Sequence, residues 1–179
     1  MKNNLILTGF MGSGKSTLGI KISYALRMAL LDTDKWIEQK EKCTISQIFA
    51  SQGEAHFREL ETQYLQQLFE RKDSQVISVG GGLPVKAENR ELLKKLGFVV
   101  YLQASPQTIY ERLKEDTTRP LLQTEDPYGR IVQLMQDREG YYLEGATKVI
   151  SVDGKTIAEL EEEIKQAYLQ FQMQRRETK

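Results

Sequence analysis

A single cysteine, Cys43, stands in a chain of 179 residues. It can form no internal disulfide and fits a reducing cytosol, and it reads as a small structural residue before it reads as a catalytic thiol. The single histidine, His56, has no evident partner in the sequence around it and reads as a structural or solvated side chain. Neither sign of charge is in excess, with 25 Lys plus Arg against 25 Asp plus Glu. No global basic field argues for nucleic acid or an anionic membrane, so any anion must be held by local groups. No apolar run approaches the roughly 18 residues of a membrane span, and no apolar signal segment precedes the first motif. The expectation is a soluble, cytoplasmic monomer with no nucleic-acid or membrane partner.

Hydrophobic residues make up 40% of the chain and charged residues 28%, a globular composition. The length suits one domain, 1–179. Short apolar runs predict strands at 5–8, 30–32, 75–79, 98–103 and 149–152. Helical periodicity predicts helices at 15–28, 34–42, 45–51, 53–71, 87–96, 105–114, 127–142 and 156–171. The polar stretch 115–126 lacks a clean period, and the charged residues 172–179 are expected to fray. Strands separated by helices imply a parallel, doubly wound α/β sheet with helices on both faces. Ligands gather beyond the carboxyl ends of such strands. The segments 9–17, 32–34 and 80–82 all fall there.

The first of these reads GFMGSGKST, from Gly9 to Thr17. Gly9, four residues, then Gly14-Lys15-Ser16 is the phosphate-loop spacing. Glycines let backbone N–H groups converge on an anion, and the helix that follows begins at the phosphate. Lys15 can reach the β and γ phosphates and the Ser16 hydroxyl can sit on Mg²⁺. A plain glycine-rich turn would not require a lysine and a hydroxyl at these offsets.

Asp32-Thr33-Asp34 follows the second strand. One carboxylate can hold Mg²⁺ and the other can bond substrate hydroxyls or take a proton from one. A helix N-cap beside a surface acid is the competing reading. Arg58 has Glu54 and Glu61 at i−4 and i+3, which makes either a surface ion pair or a fork for a carboxylate. Gly80-Gly81-Gly82 closes the third strand. A small polar ligand lying against bare N–H groups explains three glycines better than a tight turn does. Arg119 precedes Pro120 in the polar stretch and suits either a cationic flap over phosphates or an ordinary surface loop. Arg138 continues the apolar stripe Ile131, Leu134, Met135, so it either snorkels past that face or points into a site. Arg112, three residues after Ile109, can stack on a ring or form a surface pair.

With these pieces in place the sequence resembles the shikimate kinases, carried by GFMGSGKST, LLDTD, IFASQGEAHFRELE, ISVGGG, RPLL and REGYY in that order. The match spans nearly the whole chain, up to the last helix. The resemblance implies a three-layer P-loop fold, a five-stranded parallel sheet of order 2-3-1-4-5, with a shikimate-binding segment at about 33–61 and a mobile lid at about 115–126. It implies transfer of the γ-phosphate of ATP to the 3-hydroxyl of shikimate, in aromatic amino acid biosynthesis. ATP would be held by Gly12, Ser13, Gly14, Lys15, Ser16 and Thr17, with Arg112 on the adenine side and Arg119 in the lid meeting the transferring phosphate. One Mg²⁺ ion would be served by Ser16 and Asp32. Shikimate would be held by Asp34, Arg58, Arg138 and the backbone of Gly80, Gly81 and Gly82, between the apolar walls Phe49 and Phe57. Lys15, Asp34 and Arg119 would be the catalytic set. One departure is the short segment Asp153 to Ile157, where members of the family often carry a longer adenine-contacting stretch; Lys155 is the residue that could substitute. Two rivals stand beside this reading, a related small-metabolite kinase such as a gluconate kinase and a non-catalytic nucleotide-binding module.

Overall fold

Asn4–Thr8 (β1) is buried at all five positions, as a strand covered on both faces must be. The computed structural model describes residues 2–116 and 124–177. Strand and helix alternate from β1 through α1 (Lys15–Leu26), β2 (Ala29–Asp32), α2 (Thr33–Glu41), α3 (Ile45–Gln67) and β3 (Gln75–Ser78). A single 3-10 turn, Leu83–Val85, leads to α4 (Ala87–Leu96), β4 (Gly97–Gln103), α5 (Pro106–Leu113), α6 (Pro127–Gly145), β5 (Lys148–Ser151) and α7 (Ile157–Glu177). All pairings in the sheet are parallel, and its order is β2-β3-β1-β4-β5, as the resemblance implies.

The two faces of the sheet follow the period of two along each strand. Leu5 and Leu7 of β1 join one core with Leu18 and Ile22 of α1, Val100 of β4, and Leu160 and Ile164 of α7. Ile6 points the other way, into a core with Leu65 and Leu68, Ile77, Leu93 and Leu96. A third, smaller cluster of Ile37, Ile48, Phe57 and Leu60 ties α2 to α3. The sheet is thus rigid at its centre, and the loops at the carboxyl ends of β1, β2 and β3 stand on that platform.

Helix α3 starts at a capping box between Thr44 and Gln47 and is broken at Gly53, whose φ of 83° and ψ of 168° are non-helical. A side chain added there would meet nothing within 4 Å, so glycine is required by the backbone angle and not by space. The break matches the two separate helices read from the sequence. At the other end, α7 continues to Glu177, where the charged residues after Phe171 suggest fraying. The Arg175 guanidinium donates to the carbonyl of Lys2 at 3.1 Å and to Asn3 Oδ1 at 2.8 Å, and it lies over the Phe171 ring. Tertiary anchoring to the entry of β1 therefore holds a helix end that lacks an apolar pattern.

Candidate functional site

The loop between β1 and α1 is built from glycines in left-handed or related conformations, with φ of 147° at Gly9, 77° at Gly12 and 99° at Gly14. Gly14 is the N-cap of α1 and offers no side chain to its first turn, which also holds no acidic residue. The unpaired N–H groups and positive dipole end of α1 are therefore available to an anion. The Lys15 ammonium donates to the carbonyls of Gly9 and Phe10, both at 2.8 Å, and straps the loop. Arg112, from α5, donates to the Gly12 carbonyl at 2.9 Å. That bond sets Arg112 against the phosphate loop itself. Gly12, Gly14, Lys15, Ser16, Thr17 and Arg112 line one cavity of about 960 Å³. Ser13 does not line it; the residue is 1% exposed and its N–H donates to the Phe10 carbonyl at 3.2 Å. Among the phosphate-loop residues implicated from the sequence, Ser13 alone is turned inward.

The same cavity is lined by the acidic pair after β2. Asp32 caps α2 with one oxygen and turns the other toward Ser16. Its Oδ1 accepts from the N–H groups of Asp34 at 3.2 Å and Lys35 at 3.3 Å, capping α2. Its Oδ2 accepts from the Ser16 hydroxyl at 3.5 Å. Among the described residues no group of three or more His, Cys, Asp or Glu gathers to hold a metal. A pair of hard oxygens beside a phosphate loop fits a small divalent cation that keeps waters and phosphate oxygens as its other ligands.

Asp34 is largely buried, and its Oδ1 has no hydrogen-bond partner among the described residues. Burial pushes its pKa up from 3.8 to about 6, Asp32 adds to the rise, and Lys15 and Arg58 pull it back. Arg58 donates to Glu61 at 2.7 Å through Nη1 and to Glu54 at 2.8 Å through Nη2. Burial alone would lower the Arg58 pKa, but Glu61 and Glu54 more than offset it. Glu61 is 1% exposed. Burial holds its pKa up at about 7, against the pull of Arg58.

The three glycines after β3 have a reason that the sequence did not disclose. A Cβ on Gly80 would stand 2.4 Å from Asp34 Oδ1, and one on Gly82 would stand 2.3 Å from Arg58 Nη1. The glycines leave room for an acid and a guanidinium that arrive from α2 and α3. The expectation of bare N–H groups also needs correction at Gly80, whose N–H donates to Thr33 Oγ1 at 3.0 Å. Backbone donation from this turn to a ligand falls to Gly81 and Gly82.

The far wall comes from α6, where Arg130, Leu134 and Arg138 line the cavity at intervals of one helical turn. Arg138 thus points into the site. Phe49 and Phe57 form an apolar side with ring centroids 5.0 Å apart. Arg130 was missed in the sequence because its stripe was read from Ile131 onward; the signal was its spacing of eight from Arg138. Ile157 at the start of α7 lines the cavity, whereas Lys155 pairs with Glu163 at 2.6 Å and does not. Arg119 and most of the stretch 115–126 lie outside the described residues. No helix among the described residues is long and apolar enough to cross a membrane.

Comparison with known proteins agrees with this geometry. The family model described as shikimate kinase matches residues 11–169. A shikimate kinase of Synechococcus sp. (strain JA-3-3Ab) is 45% identical over 162 residues, covering 90% of this chain and 85% of that protein. A shikimate kinase of Deinococcus radiodurans is 45% identical over 162 residues, covering 90% of this chain and 81% of that protein. Among solved structures, a shikimate kinase from Acinetobacter baumannii in complex with shikimate is similar with a TM-score of 0.87 and 38% identity, over 95% of this chain and 94% of that one.

Proposed function

Because the chain belongs to the shikimate kinase family, we propose that it phosphorylates the 3-hydroxyl of shikimate with ATP, giving shikimate 3-phosphate and ADP. This is a step in the biosynthesis of chorismate and the aromatic amino acids. The observation that carries the reading is one cavity lined at once by Lys15 and Ser16 of a phosphate loop and by Asp34, Arg58 and Arg138. Gluconate also carries a carboxylate, so it is the family match that sets this reading apart from a gluconate kinase; a binding module without catalysis has no need of a largely buried acid in the same cavity.

The chemistry is phosphoryl transfer, which rests on positioning and charge neutralisation more than on covalent catalysis. Lys15 and the first turn of α1 hold the phosphates of ATP. Arg58 and Arg138 hold the shikimate carboxylate, with Glu61 and Glu54 fixing the fork of Arg58. Phe49 and Phe57 border the apolar face of the ring. Asp34 orients the 3-hydroxyl and takes its proton as the oxygen bonds to the γ phosphorus and the bond to the ADP oxygen breaks. Mg²⁺, held by Ser16 and Asp32, supplies positive charge against the phosphate oxygens when bound. Arg119, which lies outside the described residues, is the further cation that the family resemblance assigns to the same phosphates.

A coupled assay for ADP release with shikimate, gluconate and nucleoside monophosphates tests the substrate. Turnover confined to shikimate is expected; turnover of gluconate or a nucleotide without shikimate overturns the reading. Arg58→Ala is expected to raise KM for shikimate by about 30-fold or more, the worth of a forked, charge-assisted bond, and to leave KM for ATP unchanged. An unchanged shikimate KM removes Arg58 from the acceptor site. Gly82→Ala is expected to push the Arg58 guanidinium aside, because its new Cβ would lie 2.3 Å from Nη1. The flexible end of Arg58 can move, so the variant folds, and its shikimate KM rises about tenfold. Steady-state kinetics beside a thermal melt separates this from a folding defect.

A further inference from the structure

Tyr142 lies one helical turn beyond Arg138 on α6 and is 1% exposed. It does not line the cavity, and in the sequence it stands only as the last residue of REGYY, with no role assigned to it. Its hydroxyl donates to the Gly81 carbonyl at 2.6 Å. The Arg138 guanidinium, one turn away on the same helix, acts on that oxygen as the nearer positive charge, and Arg58 acts on it as a second. Resting on the shikimate kinase reading, we propose that Tyr142 is a positioning residue for the acceptor carboxylate, one buried hydroxyl setting both Arg138 and the glycine turn.

The directions of the bonds make the arrangement single-valued. A tyrosine hydroxyl has one proton to give and lone pairs to receive, whereas a guanidinium only gives. Because the proton is committed to the Gly81 carbonyl, Arg138 meets a lone pair and no alternative pattern competes. The oxygen stays protonated, since burial holds its pKa up at about 12. The ring cannot swing, because it stacks on Tyr101 with centroids 5.1 Å apart and planes at 27°. Fixing the Gly81 carbonyl also fixes the peptide plane it shares with the Gly82 N–H. In a trans peptide that N–H points opposite to the carbonyl, away from Tyr142, and no cis bond occurs among the described residues. Tyr142 thus aims a backbone donor and a side-chain cation from behind the site.

Tyr142→Phe keeps the ring and removes the oxygen. The expected result is a rise of about tenfold in KM for shikimate, with kcat and KM for ATP within about twofold of wild type. In an Arg138→Lys background the added effect of Tyr142→Phe is expected to shrink below about threefold, since the group it orients has already been changed. A full tenfold effect in both backgrounds, or an equal loss in kcat, would show a general packing role and overturns the proposal. A shikimate KM for Tyr142→Phe within twofold of wild type overturns it too. Wild-type enzyme that ignores shikimate would strike the function and not this role. The crystal structure of Tyr142→Phe then decides: Arg138 or the Gly81 peptide turned from its wild-type position supports the proposal, and both unmoved overturns it.

Discussion

Lys15→Ala lowers kcat for shikimate phosphorylation by about a thousandfold, while the variant keeps the circular dichroism of the folded chain. The loss has this size because the ammonium is preorganised where charge develops on the transferring group, and a fixed donor or cation there is worth two to five powers of ten. Its preorganisation is visible in the bonds to the Gly9 and Phe10 carbonyls. Removing them also loosens the loop, so the melting temperature falls modestly. Lys15→Arg is not expected to restore the rate, since a planar fork cannot occupy the place of a compact point charge. Stopped ADP release at saturating substrates measures the effect. A kcat for Lys15→Ala within tenfold of wild type would remove the lysine from the transfer step.

Asp34→Asn has two effects of opposite sign. Turnover falls by about a thousandfold, as the loss of a positioned proton acceptor dictates. Stability at neutral pH rises. The sign follows from the direction of the shift: folding raises the Asp34 pKa from 3.8 to about 6, so the folded state favours the neutral acid. Below pH 3.8 both states are protonated and nothing is lost. Between pH 3.8 and 6 the unfolded chain ionises first, and stability declines by up to about 3 kcal/mol. Above pH 6 that cost is constant. Glu61 acts in the same direction over a window from 4.5 to about 7. An amide at position 34 carries no charge to desolvate, so Asp34→Asn melts about 5 °C or more above wild type at pH 7, and the gain fades toward pH 4. In activity the sign is reversed. Asp34 must be ionised to take the proton, so wild-type kcat/KM rises with pH up to about 6 and then levels, whereas the residual rate of the variant lacks that step. An equal melting temperature for the two proteins at pH 7 would count against a strained, largely buried carboxylate at this position.

Local chemistry was legible and convergence was not. The phosphate loop could be read from nine residues, because the spacing that bares the N–H groups and places Lys15 is contained in one turn. The break in α3 was legible for the same reason, as a gap between two periodic stretches, 45–51 and 53–71, though Gly53, where the chain turns, was placed at the start of the second. The strand order rested on family resemblance, since alternation alone says parallel and not which strand lies beside which. Asp32 stayed ambiguous because one oxygen of its carboxylate caps α2 while the other faces Ser16, a distinction finer than a residue type. Gly80 and Gly82 were singled out correctly for an incomplete reason: the neighbours that forbid their side chains are Asp34 and Arg58, brought in from other elements. Tyr142 and Arg130 were hidden by their own helix, where a stripe that reads as core turns at its ends toward a cavity. The buried side chain of Ser13, beneath the loop, was likewise not readable from its motif.

The glycine turn has a consequence in the space of possible sequences. Most positions have a smaller neighbour to which they can drift and from which they can return. Gly80 and Gly82 have none, because every replacement adds a carbon to volume already held by Asp34 and Arg58. Drift at these two positions therefore always displaces Asp34 or Arg58, as Gly82→Ala does, and is felt at the acceptor site before it is felt in folding. The turn works as a latch on substrate choice, set by the two side chains that crowd it.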